Sequence, residues 1–178
     1  MNPLGILLTA IAAGAPSTPD VIEHHVVVPA SLEAVWSRWT TAEGLTRFFA
    51  RSVNLDLRVG GDFEILFFPE NEPGLRGAEG TRLMAVEAPR RLAFDWDAPP
   101  QWPHQRGQRT MVEVRLAPSE GGTRISLRHH GWGDGPQWQE VRDYFDRAWQ
   151  KVLARLVYSF EVGPVNWDAP PPELMHRG

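Results

Sequence analysis

Residues 137–161 read QWQEVRDYFDRAWQKVLARLVYSFE, from Gln137 to Glu161, and their periodicity decides the fold class. Trp138, Val141, Phe145, Ala148, Trp149, Val152, Leu156 and Phe160 recur every three or four residues, so they share one face of a helix. Glu140, Arg142, Asp143, Arg147, Gln150 and Arg155 fall largely on the other face. At 1.5 Å per residue such a helix is about 40 Å long, enough to cross a whole domain. Gly163 and Pro164 end it, and the Pro-rich stretch 163–178 reads as a tail, either an extended flap or disordered.

Everything upstream of this helix has a different rhythm. Val21, Ile22, Val26, Val27 and Val28 mark a β-branched strand stopped by Pro29. Ser31 stands where an N-cap would, ahead of Leu32, Val35, Trp36 and Trp39 at helical spacing, and 41–49 reads as a second short helix. Strands are expected at 53–57, 62–68, 81–87, 91–96, 109–116 and 123–130. Gly60-Gly61, Pro89, Pro99-Pro100 and Gly121-Gly122 separate most of them, which points to short antiparallel connections. Segments 69–80 and 98–108 have loop composition.

A sheet with one apolar face has to be covered, and the long helix is the one sizeable cover in the chain. The expected fold is α+β of the helix-grip kind, with about six to seven antiparallel strands curved around the C-terminal helix. A cavity is expected wherever helix and sheet diverge. With 178 residues, 42% hydrophobic and 22% charged, the chain is one globular domain long. The domain is expected over 20–162, after a leader at 1–19.

Composition removes several functions. Eighteen basic against 22 acidic side chains make a net charge of −4, which offers no basic field to a nucleic acid. Cysteine is absent, so disulfides, thiol nucleophiles and thiolate metal sites are excluded. The apolar run from Leu4 to Ala15 has the length of a signal-peptide core and is too short to span a bilayer. No Lys or Arg precedes it, however, and Pro16 would sit badly behind a cut after Ala15. Cytoplasmic and exported locations both stay open.

Several stretches resemble a known family when taken in order. These are Pro29-Ala30-Ser31 with Ala34-Val35-Trp36 and Thr41-Ala42-Glu43, then residues 56–63, 89–96 and 121–124, and finally Leu127-Arg128-His129-His130-Gly131-Trp132. The set resembles START-like proteins of the SRPBCC superfamily, and within it the bacterial homologues of the activator of heat-shock protein 90 ATPase. The resemblance covers roughly residues 20–162. It implies a helix-grip fold around a hydrophobic cavity that binds a small apolar or amphipathic molecule, without a cofactor. Homodimer formation is open.

Candidate chemistry is sparse. No serine lies in a Gly-x-Ser-x-Gly elbow. His24-His25 and His129-His130 are adjacent pairs on strands, so each pair points to opposite faces and cannot supply two metal ligands from one side. Alternation puts Ile125, Leu127 and His129 together, which makes His129 the polar group at the end of an apolar face. It could bond a ligand, act as an acid or base, or be a core histidine satisfied by protein groups. Asp95 and Asp97 read as solvated positions at a strand edge. By their place in the expected fold, Phe48, Phe49, Trp96, His129, Trp132, Phe145 and Trp149 are the candidate ligand-binding residues, with no catalytic residue assigned. Three functions follow: binding of a small hydrophobic or amphipathic molecule, a small-molecule enzyme such as a cyclase, dehydratase or hydrolase using His129, and a co-chaperone-like interaction module. A titratable partner of His129 inside a cavity would favour the enzyme, and protein-only partners would favour binding.

Overall fold

The computed structural model describes residues 21–174, and the leader reading of Leu4 to Ala15 lies outside them. In chain order the elements are β1 (Val21–Val28), α1 (Leu32–Thr40), α2 (Ala42–Thr46), β2 (Ser52–Leu55), β3 (Phe63–Leu66), β4 (Gly77–Ala78), β5 (Leu83–Glu87), β6 (Arg91–Trp96), α3 (Pro103–Arg106), β7 (Thr110–Ser119), β8 (Gly122–His130) and α4 (Pro136–Glu161). A 3-10 turn, Pro172–Leu174, follows. Five strands form an antiparallel sheet in the order β1-β8-β7-β6-β5, and β2-β3-β4 form a second sheet of three. This is the helix-grip architecture, with a long C-terminal helix against antiparallel strands.

Local chemistry explains the boundaries. Ser31 Oγ accepts the Ala34 N–H at 3.2 Å and starts α1, and Thr41 Oγ1 accepts the Gly44 N–H at 2.9 Å to start α2. The strands pair as their patterns require. Val112 and Ile22 stand opposite His129, Val114 opposite Leu127, and Val26 and Leu116 opposite Ile125. One face of β7 and β8 therefore carries Val112, Val114, Leu116, Ile125, Leu127 and His129, all buried. Against it α4 buries Val141, Phe145, Trp149, Val152 and Leu156.

Three features depart from the pattern reading. The described strands number eight in two sheets, because Gly77 and Ala78 pair with Leu66 and Ile65 inside a stretch of loop composition. Only glycine fits there, since a Cβ on Gly77 would stand 2.2 Å from the Ile65 carbonyl oxygen. Second, the 98–108 connection contains the single turn of α3, with Pro103 at its start. Third, Arg142 and Arg155 are buried although they fall on the polar face of α4. Arg142 bonds Gln139 Oε1 at 2.8 Å. Arg155 is covered by the tail, where its Nε donates to the Leu174 carbonyl at 2.9 Å and its guanidinium lies over the Trp167 ring. The tail runs back along the domain, with Val165 and Leu174 buried and Trp167 Nε1 donating to the Thr46 carbonyl at 2.7 Å.

Candidate functional site

Beside the middle turns of α4, a cavity of about 410 Å³ opens between the helix, the end of β6 and the loop 67–78. Strand alternation brings Trp96 to its inner wall, and the helical period brings Phe145, Ala148, Trp149 and Val152 to the facing wall. The chain after α2 contributes Phe49. Trp96, Trp149 and Phe49 lie 5.6–5.9 Å apart, centroid to centroid, and form one aromatic surface. Phe68 and Leu75, 56% and 51% exposed, mark the mouth together with Pro99 and Pro100.

Of the seven candidate residues, four line this cavity: Phe49, Trp96, Phe145 and Trp149. The other three lie elsewhere. Phe48 is fully buried behind Phe49, its ring 5.0 Å from Trp39. Trp132 turns away towards a separate cleft of about 650 Å³ shared with Arg128, His130, Gln139 and Arg142. His129 is fully buried and does not reach the cavity wall.

The position of His129 follows from its partners. Trp149 Nε1 can only donate, and it donates to His129 Nδ1 at 2.9 Å. The imidazole proton is therefore on Nε2, which donates to Thr110 Oγ1 at 2.7 Å. The Thr110 hydroxyl passes its own proton on to the Trp96 carbonyl at 3.2 Å. Both ring nitrogens are thus spent on protein, and the relay ties α4 to β6 through β7 and β8 behind the aromatic wall. Burial, with a smaller contribution from His130, holds His129 well below its ordinary value of 6.5, so the ring stays neutral. Among the described residues no second titratable group bonds to it.

The polar end of the cavity comes from residues the sequence reading assigned to solvent or passed over. Asp97 is buried at the cavity wall, where the chain leaves β6. Arg106, from α3, reaches it with Nη1 at 2.9 Å, and Arg109 Nη1 stands 3.7 Å away. Arg106 also donates to the carbonyls of Ala98, Gly74 and Gly77 at 2.6, 3.1 and 2.8 Å, which fastens α3 to the loop around the mouth. Burial pushes the Asp97 carboxyl up to about 6 against the pull of both arginines and of the Glu79 and Asp97 backbone amides. Asp95, its partner in the expected surface pair, does bond at the edge, accepting the Arg82 N–H at 2.6 Å. A sequence signal for Asp97 existed: it is the sole acidic residue in 97–112, a stretch holding Arg106 and Arg109.

Among the described residues no group of three or more His, Asp or Glu side chains could hold a metal ion, and no helix is long and apolar enough to cross a membrane. An apolar cavity with one buried carboxylate can enclose a small molecule and orient it by one strong polar contact.

Comparison with known proteins agrees with the architecture. The solved Aha1 dimer of Colwellia psychrerythraea superposes with a TM-score of 0.62 at 18% identity, covering 80% of this chain and 97% of that one. Bacillus halodurans BH1534 superposes at 0.60 with 25% identity, over 79% of this chain and 96% of its own. DynU16, from the dynemicin biosynthetic locus, superposes at 0.63 with 19% identity over 83% of this chain, which spans only 49% of DynU16. No curated protein matches the chain. Residues 29–161 match the family described as Activator of Hsp90 ATPase homolog 1-like protein, and they include both helical caps, every strand from β2 onward and all of α4. The chain belongs to that family.

Proposed function

We propose that this protein binds a small molecule with a largely apolar body in the cavity between α4, β6 and the loop 67–78. The observation that carries the reading is the cavity itself. Its volume of about 410 Å³ lies in the range of small-molecule sites, and its walls are largely aromatic. The bonding of His129 supports binding over acid–base chemistry, because its partners are Thr110 and Trp149 and neither ionises near neutral pH. The structural neighbours share the fold, and fold alone carries no substrate to this chain.

Filling the cavity tests this. Ala148 lies on the wall with open space in front of it, so Ala148→Phe should occupy the site without crowding the core. The uncharged fluorophore N-phenyl-1-naphthylamine should bind the wild-type protein with enhanced emission. It should bind the variant at least tenfold more weakly, with the unfolding midpoint preserved or raised. Undiminished binding by a folded Ala148→Phe protein would place the probe elsewhere and remove the proposal.

A further inference from the structure

The cavity-binding reading has a sharper consequence, which rests on it and concerns the chemistry of the ligand. We infer that Asp97 selects the occupant, and that the polar end of the ligand is a neutral hydrogen-bond donor, a hydroxyl or N–H group seated against the Asp97 carboxylate.

The argument starts from what each polar group still has to offer. Arg106 is on the wall, but its two Nη groups already serve three main-chain carbonyls and Asp97. An acceptor on a ligand could reach these Nη groups only by displacing one of those bonds. Asp97 is different. An ionised carboxylate accepts at about four positions. Arg106 Nη1 stands 2.9 Å from Oδ2 and Arg109 Nη1 3.7 Å from the same oxygen, so among the described residues no side-chain cation pairs with Oδ1, while the backbone amides of Glu79 and Asp97 favour the charged form. The acceptor capacity left over belongs to a side chain that lines the cavity and is shielded from bulk water. Asn71 and Gln101 also line the cavity, but both are exposed at the mouth, where water competes for them, and half-buried Tyr144 offers a neutral hydroxyl, a weaker partner for a donor than a carboxylate.

Charge then separates the donors. The cluster around Asp97 comprises Arg76, Arg106 and Arg109 against Glu79 and Asp97, with Glu79 2.8 Å from Arg76 and 3.8 Å from Arg106. Three cations face two anions, so an ammonium head group would add like charge to a site already positive. A carboxylate head group would meet the Asp97 carboxylate itself, with Arg106 engaged. A neutral donor meets neither penalty, and its bond to a buried carboxylate is charge-assisted. A site built to take a donor discriminates strongly against an analogue that lacks it, because its acceptor is then left unpaired.

Four probes of similar body separate the outcomes by isothermal titration calorimetry at pH 7.5: 2-naphthol, its methyl ether 2-methoxynaphthalene, 2-naphthoate and 2-naphthylmethylammonium. The expected result is 2-naphthol tightest, by about tenfold or more over the ether. Asp97→Asn should bring naphthol and ether to within about threefold, because an Asn whose carbonyl faces Arg106 turns its NH₂ to the cavity. Equal binding of naphthol and ether by the wild-type protein, or tightest binding of the carboxylate or the ammonium, overturns the inference while leaving the cavity reading intact. No binding by any of the four overturns both. If Asp97→Asn does not fold, the wild-type order of the four probes decides alone.

Discussion

Asp97 sits between two opposed forces, and its effect on stability as a function of pH shows which one wins. Burial favours the protonated carboxyl; Arg106 and Arg109 favour the carboxylate. With burial ahead, the folded protein holds the Asp97 proton up to about 6, whereas the unfolded chain releases it at about 3.8. Between those values the folded state binds more protons than the unfolded one, so this residue's contribution to stability falls as pH rises. The contribution is fully present below pH 3.8 and gone above about pH 6. At 1.36 kcal/mol per unit, the interval from 3.8 to about 6 amounts to about 3 kcal/mol. Asp97→Asn resembles the protonated side chain and keeps a carbonyl for Arg106, so it removes this titration. The variant and the wild-type protein should be about equally stable at pH 3.8. The variant should then gain with rising pH and lead by about 3 kcal/mol above pH 7. Urea unfolding from pH 4 to pH 8, with midpoint and slope fitted at each pH, measures the difference directly. Taking the difference cancels the titration of every other group, His129 included. A variant less stable than wild type at pH 7.5, with the gap closing towards pH 4, would mean that the arginines outweigh burial, and the reasoning would fail.

Two further outcomes test the supports of the site. Trp149→Phe keeps an aromatic ring between Trp96 and Phe145 but strips His129 Nδ1 of its donor, and leaving a buried acceptor unpaired should cost about 1–3 kcal/mol in chemical denaturation; a loss below about 0.5 kcal/mol would show that the relay contributes nothing. Deleting residues 163–178 should lower stability by up to about 3 kcal/mol, as expected for uncovering Val165 and Arg155, and an unchanged melting temperature would mean that the tail is merely laid on the surface.

What was legible in the sequence was whatever obeys a period. The 3.6-residue rhythm from Trp138 to Phe160 marked α4 and its inward face, and the alternation through Ile125, Leu127 and His129 marked the buried face of β8. Ser31 and Thr41 identified two helix starts by their capping chemistry. Segments that obey no period were less readable. β4 is two residues long and owes its existence to pairing with Leu66 and Ile65, a partner no local pattern announces. The burial of Arg155 depends on a tail that returns from beyond the end of α4, so its helical face alone could not place it.

The site divides along the same line. Phe49, Trp96, Phe145 and Trp149 were found because a cavity in such a fold is expected where helix and sheet part, and these residues line the cavity observed. His129 was singled out for being polar on an apolar face, and that reasoning located a buried group correctly while leaving its role open between ligand contact and core. The distinction lay in Thr110 and Trp149, 19 and 20 residues away in opposite directions, which close off both ring nitrogens. For Asp97 the preference of carboxylates for solvent misled. The strand ends at Trp96, and the segment 98–109 folds over to bring two arginines against Asp97. One buried polar side chain is therefore fully paired and fastens the wall, and the other keeps an acceptor at the wall's edge. A polar residue at the point where a strand ends is better judged by the charges in the loop that follows than by the preference of its type for solvent.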